Sequence, residues 1–76
     1  MTRFQYINTN FLRIKQEVNM GLISPYVLAH FAAYSRFDYY RKQGLTICNS
    51  VMCASEDMNI SELTIFKIKK RMETEL

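Results

Sequence analysis

The segment from Asn49 to Met72 constrains the fold more than any other part of this chain. Ile65, Ile68 and Met72 recur at helical spacing behind Ser61, a residue that can cap a helix start. Just before it lies Met58-Asn59-Ile60, where Asn59 can take the left-handed backbone conformation that a tight turn needs. Asn49 and Ser50 can cap an earlier helix covering Val51 to about Asp57. The pattern predicts a short helix, a turn, and a longer helix from Glu62 to about Glu75. Such a pair crosses steeply and turns the second helix outward. Ala54, Met58 and Ile60 are expected to face inward, with Ile65, Ile68 and Met72 burying against the first helix.

The rest of the chain supplies what this pair packs against. Its 76 residues allow one domain, near the lower limit for a single hydrophobic core. Apolar residues make up 49%, enough for that core, and two Gly with one Pro favour helices over a small all-β fold. Ser24-Pro25 is a start signal, since proline fits the first helical position at no cost in hydrogen bonds. The helix it opens should run to about Phe37 or Tyr40. Leu28, Phe31, Ala32 and Ser35 form its expected inner face, with Val27 and Tyr34 beside it. Upstream, the capping candidates Asn8-Thr9-Asn10 precede Phe11, Leu12, Ile14, Val18 and Met20, and Gly21 follows as a helix stop. A helix from about Asn10 to Met20 is predicted. Two short strands are expected, at Phe4-Gln5-Tyr6-Ile7 and at Leu45-Thr46-Ile47-Cys48, the latter after an Arg41–Gly44 loop.

The charge suits an anionic partner, and the basic run of the last helix also suits a solvated helix end that complements the dipole. The formal net charge is +3 and the pI about 9.0. Lys67, Lys69, Lys70 and Arg71 crowd the last helix, and Arg36, Arg41 and Lys42 gather earlier beside Tyr39 and Tyr40. The earlier mixture can stack on bases. The plainer alternative packs the tyrosines at the helix end with their hydroxyls in water.

No enzymatic set is visible. His30 is the sole histidine, next to Phe31 on an apolar helix, and reads as a packed residue. No phosphate-binding glycine loop, carboxylate pair or nucleophile motif occurs. Cys48 and Cys53 lack a zinc or redox spacing and read as reduced thiols. No metal and no cofactor are expected. The N-terminus lacks a signal-peptide pattern, and the apolar stretch Tyr26–Tyr34 is too short to span a bilayer. A cytoplasmic protein with no membrane partner is the expectation.

The segment from Asn49 to Lys67 resembles the helix-turn-helix of the winged-helix superfamily, in the branch found in phage and plasmid replication proteins and small regulators. Ser50 matches the opening cap and Met58 the apolar residue before the turn. Ile60-Ser61 match the aliphatic-Ser pair, Thr64-Ile65 the Thr-aliphatic pair, Lys67 the basic position and Met72 the late apolar one. Leu22-Ile23-Ser24-Pro25 and Gly44 extend the likeness, so that it covers about Leu22 to Met72. Ala54-Ser55 stand where that family prefers Leu-Ala, and Asn59 where it prefers Gly. An Ala at 54 buries ~1–2 kcal/mol less apolar surface than a Leu, which calls for Met52 or Met58 to fill the gap.

The resemblance implies a mainly α fold of winged-helix type, with three to four helices and one or two short strands. It also implies a β-hairpin wing after the last helix, so the chain is expected to be a fragment, or a variant without the wing. Double-stranded DNA is the implied partner, met by Ser50, Ser61, Leu63, Thr64, Lys67, Lys70 and Arg71 with the last helix in the major groove. Leu63 and Phe66, however, are apolar where base-reading residues are usual. They suit a second reading, a homodimer or protein partner docked on that face.

Overall fold

The computed structural model describes residues 1–76 and contains five helices: α1 (Arg3–Thr9), α2 (Phe11–Asn19), α3 (Tyr26–Lys42), α4 (Ile47–Met58) and α5 (Glu62–Met72). There are no strands, so both expected strands are corrected. Phe4-Gln5-Tyr6-Ile7 lies inside α1. The cause is a capping box: the Gln5 N–H donates to Thr2 Oγ1 at 3.1 Å, and the Thr2 N–H donates to Gln5 Oε1 at 2.8 Å. Phe4 and Ile7, three positions apart, then share one face. Ile7 is buried, and the Phe4 ring packs on Phe31 and Tyr34 with centroids 5.2 and 4.7 Å apart.

The second expected strand, at Leu45–Cys48, is also absent. Thr46 caps α4, its Oγ1 accepting from the Asn49 N–H at 3.2 Å, and Ile47 and Cys48 are the first helical residues. The cap therefore falls four residues before Ser50. β-Branched residues are well tolerated at a helix entrance, and no neighbouring strand exists here to pair with.

Turn chemistry closes the other helices. The Leu22 N–H donates to Glu17 O beyond Gly21, and the Leu45 N–H to Tyr40 O beyond Gly44, with both glycines at positive φ. Asn59 does the same work without being a glycine, at φ 56° and ψ 44°. Its neighbour Ile60 donates its N–H back to Ser55 O at 3.2 Å, while the Ser55 hydroxyl donates to Ile60 O. Ser55 thus ties both polar groups of Ile60 to the end of α4. At the start of α2, Asn10 occupies the cap position but forms no side-chain cap; its amide instead donates to Tyr6 O at 2.9 Å, closing α1.

α3 is the central helix, packing against α1, α4 and α5, and α4 packs against α5. The inner face of α3 is in part the expected one: Val27, Leu28, Phe31 and Tyr34 pack against the core, but its buried residues are Ala33 and Phe37, and Ala32 is exposed. A helix covered from several sides has no single apolar stripe, so the spacing of its apolar residues defines the inner face poorly. On α4 and α5 the inward residues are those expected. Ala54, Ile65, Ile68 and Met72 are all buried, and Met58 and Ile60 pack against them. Met58 is the methionine beside the small Ala54; Met52 is exposed. Burial of Ile65, 1% exposed, stabilises the fold by about 2 kcal/mol.

α5 ends at Met72, short of the predicted Glu75. The chain beyond it meets the N-terminus instead. Thr2 and Glu75 form an antiparallel bridge, the Arg3 N–H donates to Thr74 O at 2.9 Å, and the Leu76 N–H donates to Met1 O at 3.0 Å. No β-hairpin occurs in residues 1–76.

Candidate nucleic-acid interface

The outer face of α5 follows from its inner one. With Ile65, Ile68 and Met72 buried, helical periodicity turns Leu63, Phe66, Lys67 and Lys70 to solvent. Thr64 and Arg71 fall on one flank of that face, and Glu62, Lys69 and Glu73 on the other. Ser61 holds the helix start. Its Oγ accepts from the Thr64 N–H at 3.2 Å and lies 2.8 Å from Thr64 Oγ1. One of these two hydroxyls has its proton free for a ligand at the exposed end of the helix.

The cations differ in what they are bound to. Lys69 pairs with Glu73 at 2.9 Å. Lys67, Lys70 and Arg71 are exposed and form no ion pair within 4.0 Å. They are therefore open to an external anion. The basic residues at the end of α3 are committed within the molecule. Arg36 pairs with Asp57 at 3.1 Å and lies over the Tyr39 and Tyr40 rings, 5.5 and 5.8 Å from their centroids. The Tyr40 hydroxyl donates to the same Asp57 carboxylate, and this bond pushes the phenol above its ordinary range. Arg41 donates to Leu45 O at 2.7 Å, and Lys42 pairs with Asp38 at 3.0 Å. The rings thus pack around Arg36 as in the plainer alternative, but the Tyr40 hydroxyl is bonded to Asp57 and is not left to water.

Of the seven residues predicted to meet DNA, the structure brings six onto α5 and its cap: Ser61, Leu63, Thr64, Lys67, Lys70 and Arg71. Ser50 is corrected. It lies on α4, fully buried, with its Oγ lacking any hydrogen-bond partner. It faces the interior because Thr46 opens the helix, which moves Ser50 from the cap into the turn that packs on the core. Leu63 and Phe66 are 65% and 43% exposed, an apolar pair inside the basic face.

Three residues outside the predicted set adjoin Arg71. Arg3 of α1 and Tyr26 and His30 of α3 line a pocket of about 220 Å³ with it, over a floor that includes Ile7 and Met72. Burial, then the nearby Arg71 charge, hold the His30 imidazole below its ordinary value. Nothing in the sequence marks this group, because Arg3 and Arg71 come from opposite ends of the chain.

No three His, Cys, Asp or Glu side chains converge as metal ligands, and both cysteines are free thiols. No helix is long and apolar enough to cross a membrane. No protein-family model, curated protein or solved structure matches the chain.

Proposed function

We propose that the chain is a DNA-binding domain of winged-helix type, from a transcriptional regulator or a replication protein, with α5 as the helix that enters the major groove. The observation that supports this reading is the set of free cations on α5, Lys67 and Lys70 on its outward side and Arg71 on the flank, behind the tight turn that joins it to α4. Lysines there neutralise phosphates, and Arg71 can reach a phosphate or a guanine edge. Ser61 and Thr64 add hydroxyl contacts at the helix start, where the dipole favours an anion. Leu63 meets a thymine methyl, and Glu62 accepts from a cytosine amine.

Fluorescence anisotropy on mixed-sequence duplexes across a salt series tests it. Each phosphate contact contributes about 0.9 to the slope of log affinity against log salt, so Lys67→Ala with Lys70→Ala lowers the slope by about two units. Failure to bind any duplex at low salt, or an unchanged slope in the double variant, overturns the reading.

The exposure of Leu63 and Phe66 supports a second reading, a dimerisation or protein-interaction module that keeps the fold. Sedimentation of wild type and Phe66→Glu separates the two. Self-association abolished by Phe66→Glu, with duplex binding absent in both proteins, favours the interaction module.

A further inference from the structure

The pocket at Arg71 has two arginines and no acidic side chain in its lining. Arg3 and Arg71 both line it, and neither guanidinium is in an ion pair. The two glutamates near the C-terminus are engaged elsewhere. Glu73 takes Lys69 and the Tyr34 hydroxyl, and Glu75 takes the N-terminal ammonium at 3.3 Å. Backbone bonds bring these two residues, from opposite ends of the chain, to one pocket. The Arg3 N–H to Thr74 O bond and the Thr2–Glu75 bridge pin the start of α1 to the chain just beyond Arg71.

His30 lines the same pocket, its ring 6.3 Å from that of Tyr26. The imidazole is held below its ordinary value, by burial first and then by the Arg71 charge. The polar residues of the lining, Arg3, Arg71, His30 and Tyr26, all carry hydrogen-bond donors. Guanidinium forks match the oxygen spacing of phosphate, and an apolar floor strengthens their pull.

We propose that this pocket is an oxyanion site for one phosphate group, gripped by Arg3 and Arg71 with His30 as a third donor. On a duplex entered by α5 the group is a backbone phosphate beside the groove, reached by α1 and α3. That assignment of source rests on the DNA-binding reading; the site itself does not.

His30 is the only histidine, so its ring resonances in the full chain report on the pocket alone. In an NMR titration with inorganic phosphate, against chloride at matched ionic strength, these resonances shift saturably with phosphate only. Arg3→Gln and Arg71→Gln each weaken that binding about tenfold, the loss of one charge-assisted fork. Lys15→Gln, a cation on α2 outside the pocket, leaves it unchanged. Absence of a saturable His30 shift, or a shift that survives both arginine substitutions, overturns the proposal whether or not the chain binds DNA.

A duplex arm identifies the source. If Arg3→Gln lowers the salt slope by about one unit on every sequence, the phosphate belongs to a nucleic-acid backbone. An unchanged slope in Arg3→Gln, with saturable phosphate binding in the wild-type chain, assigns the pocket to a free phosphate or phosphomonoester. Phosphate binding here by a chain that binds no duplex sinks the DNA reading and leaves the pocket standing.

Discussion

The Tyr34 hydroxyl donates to Glu73 Oε2 across 2.9 Å, joining the middle of α3 to the residue that follows α5. Glu73 also pairs with Lys69, so a single carboxylate ties the end of α5 to both its own last turn and the central helix. Burial, the hydrogen bond and the Glu73 charge push the Tyr34 phenol well above its ordinary value of 10.0. Tyr34→Phe is expected to lower stability by about 1 kcal/mol at neutral pH, read from urea unfolding. Because the folded value exceeds the unfolded one, this contribution is full below pH 10.0 and fades as pH rises above it. The gap between wild type and variant should therefore narrow in alkaline melts. A gap constant across that range would mean that the phenol ionises alike in both states.

His30 has the opposite linkage. Its imidazole is held below 6.5, by burial first and then by Arg71, and Arg3 faces the same pocket. Between the folded and unfolded values the unfolded chain binds more protons, so stability rises with pH there. The contribution is full above 6.5 and is lost as pH falls through the folded value. His30→Gln is expected to flatten the acid side of a Tm-against-pH curve while leaving the neutral plateau in place. A variant curve parallel to wild type below pH 6.5 would show that His30 is not the titrating group.

The two helices around the turn were legible because their signals are local. Ser61 caps, Asn59 turns left-handed, and Ile65, Ile68 and Met72 face inward at the spacing seen in the sequence. α1 was hidden because four residues, Phe4 to Ile7, fit two periodicities equally well. The deciding information, Thr2 with Gln5 three residues on, sits at the edge of that window. Thr46-Ile47 misled for a related reason. β-Branched residues suit a strand, but Thr is also a helix cap, and only the absence of a pairing strand decides. The cations on α5 were evident from their spacing, whereas which of them are free depends on carboxylates placed by the fold. Arg3 beside Arg71 follows from the pairing of the two chain ends, a contact no local pattern encodes.

Asn59 tests how much the turn depends on its left-handed residue. At φ 56° an ordinary side chain crowds the following carbonyl, at a cost of roughly 1–2 kcal/mol, while Asn and Gly are tolerated. Asn59→Gly is expected to keep stability within about 0.5 kcal/mol of wild type, and Asn59→Val to lose about 1–2 kcal/mol. Equal unfolding midpoints for the two variants would show that the turn relaxes to another conformation.

Ser50 separates a buried hydroxyl from a DNA contact. Its Oγ is fully enclosed on α4 with no partner, so the hydroxyl has given up water and gained nothing for it. A buried polar group left unsatisfied costs about 1–3 kcal/mol. Ser50→Ala removes that cost along with a small volume, and alanine is the better helix former. The variant is expected to be more stable by up to about 1 kcal/mol, the void left by the oxygen offsetting the remainder. Its affinity for any duplex the chain binds, and the salt slope of that affinity, should match wild type, because no ligand on the surface can touch Ser50. Reduced affinity with unchanged stability would place the hydroxyl in the interface and require α4 to open on binding. Reduced stability would instead reveal a hydrogen bond to Ser50 that forms within the core.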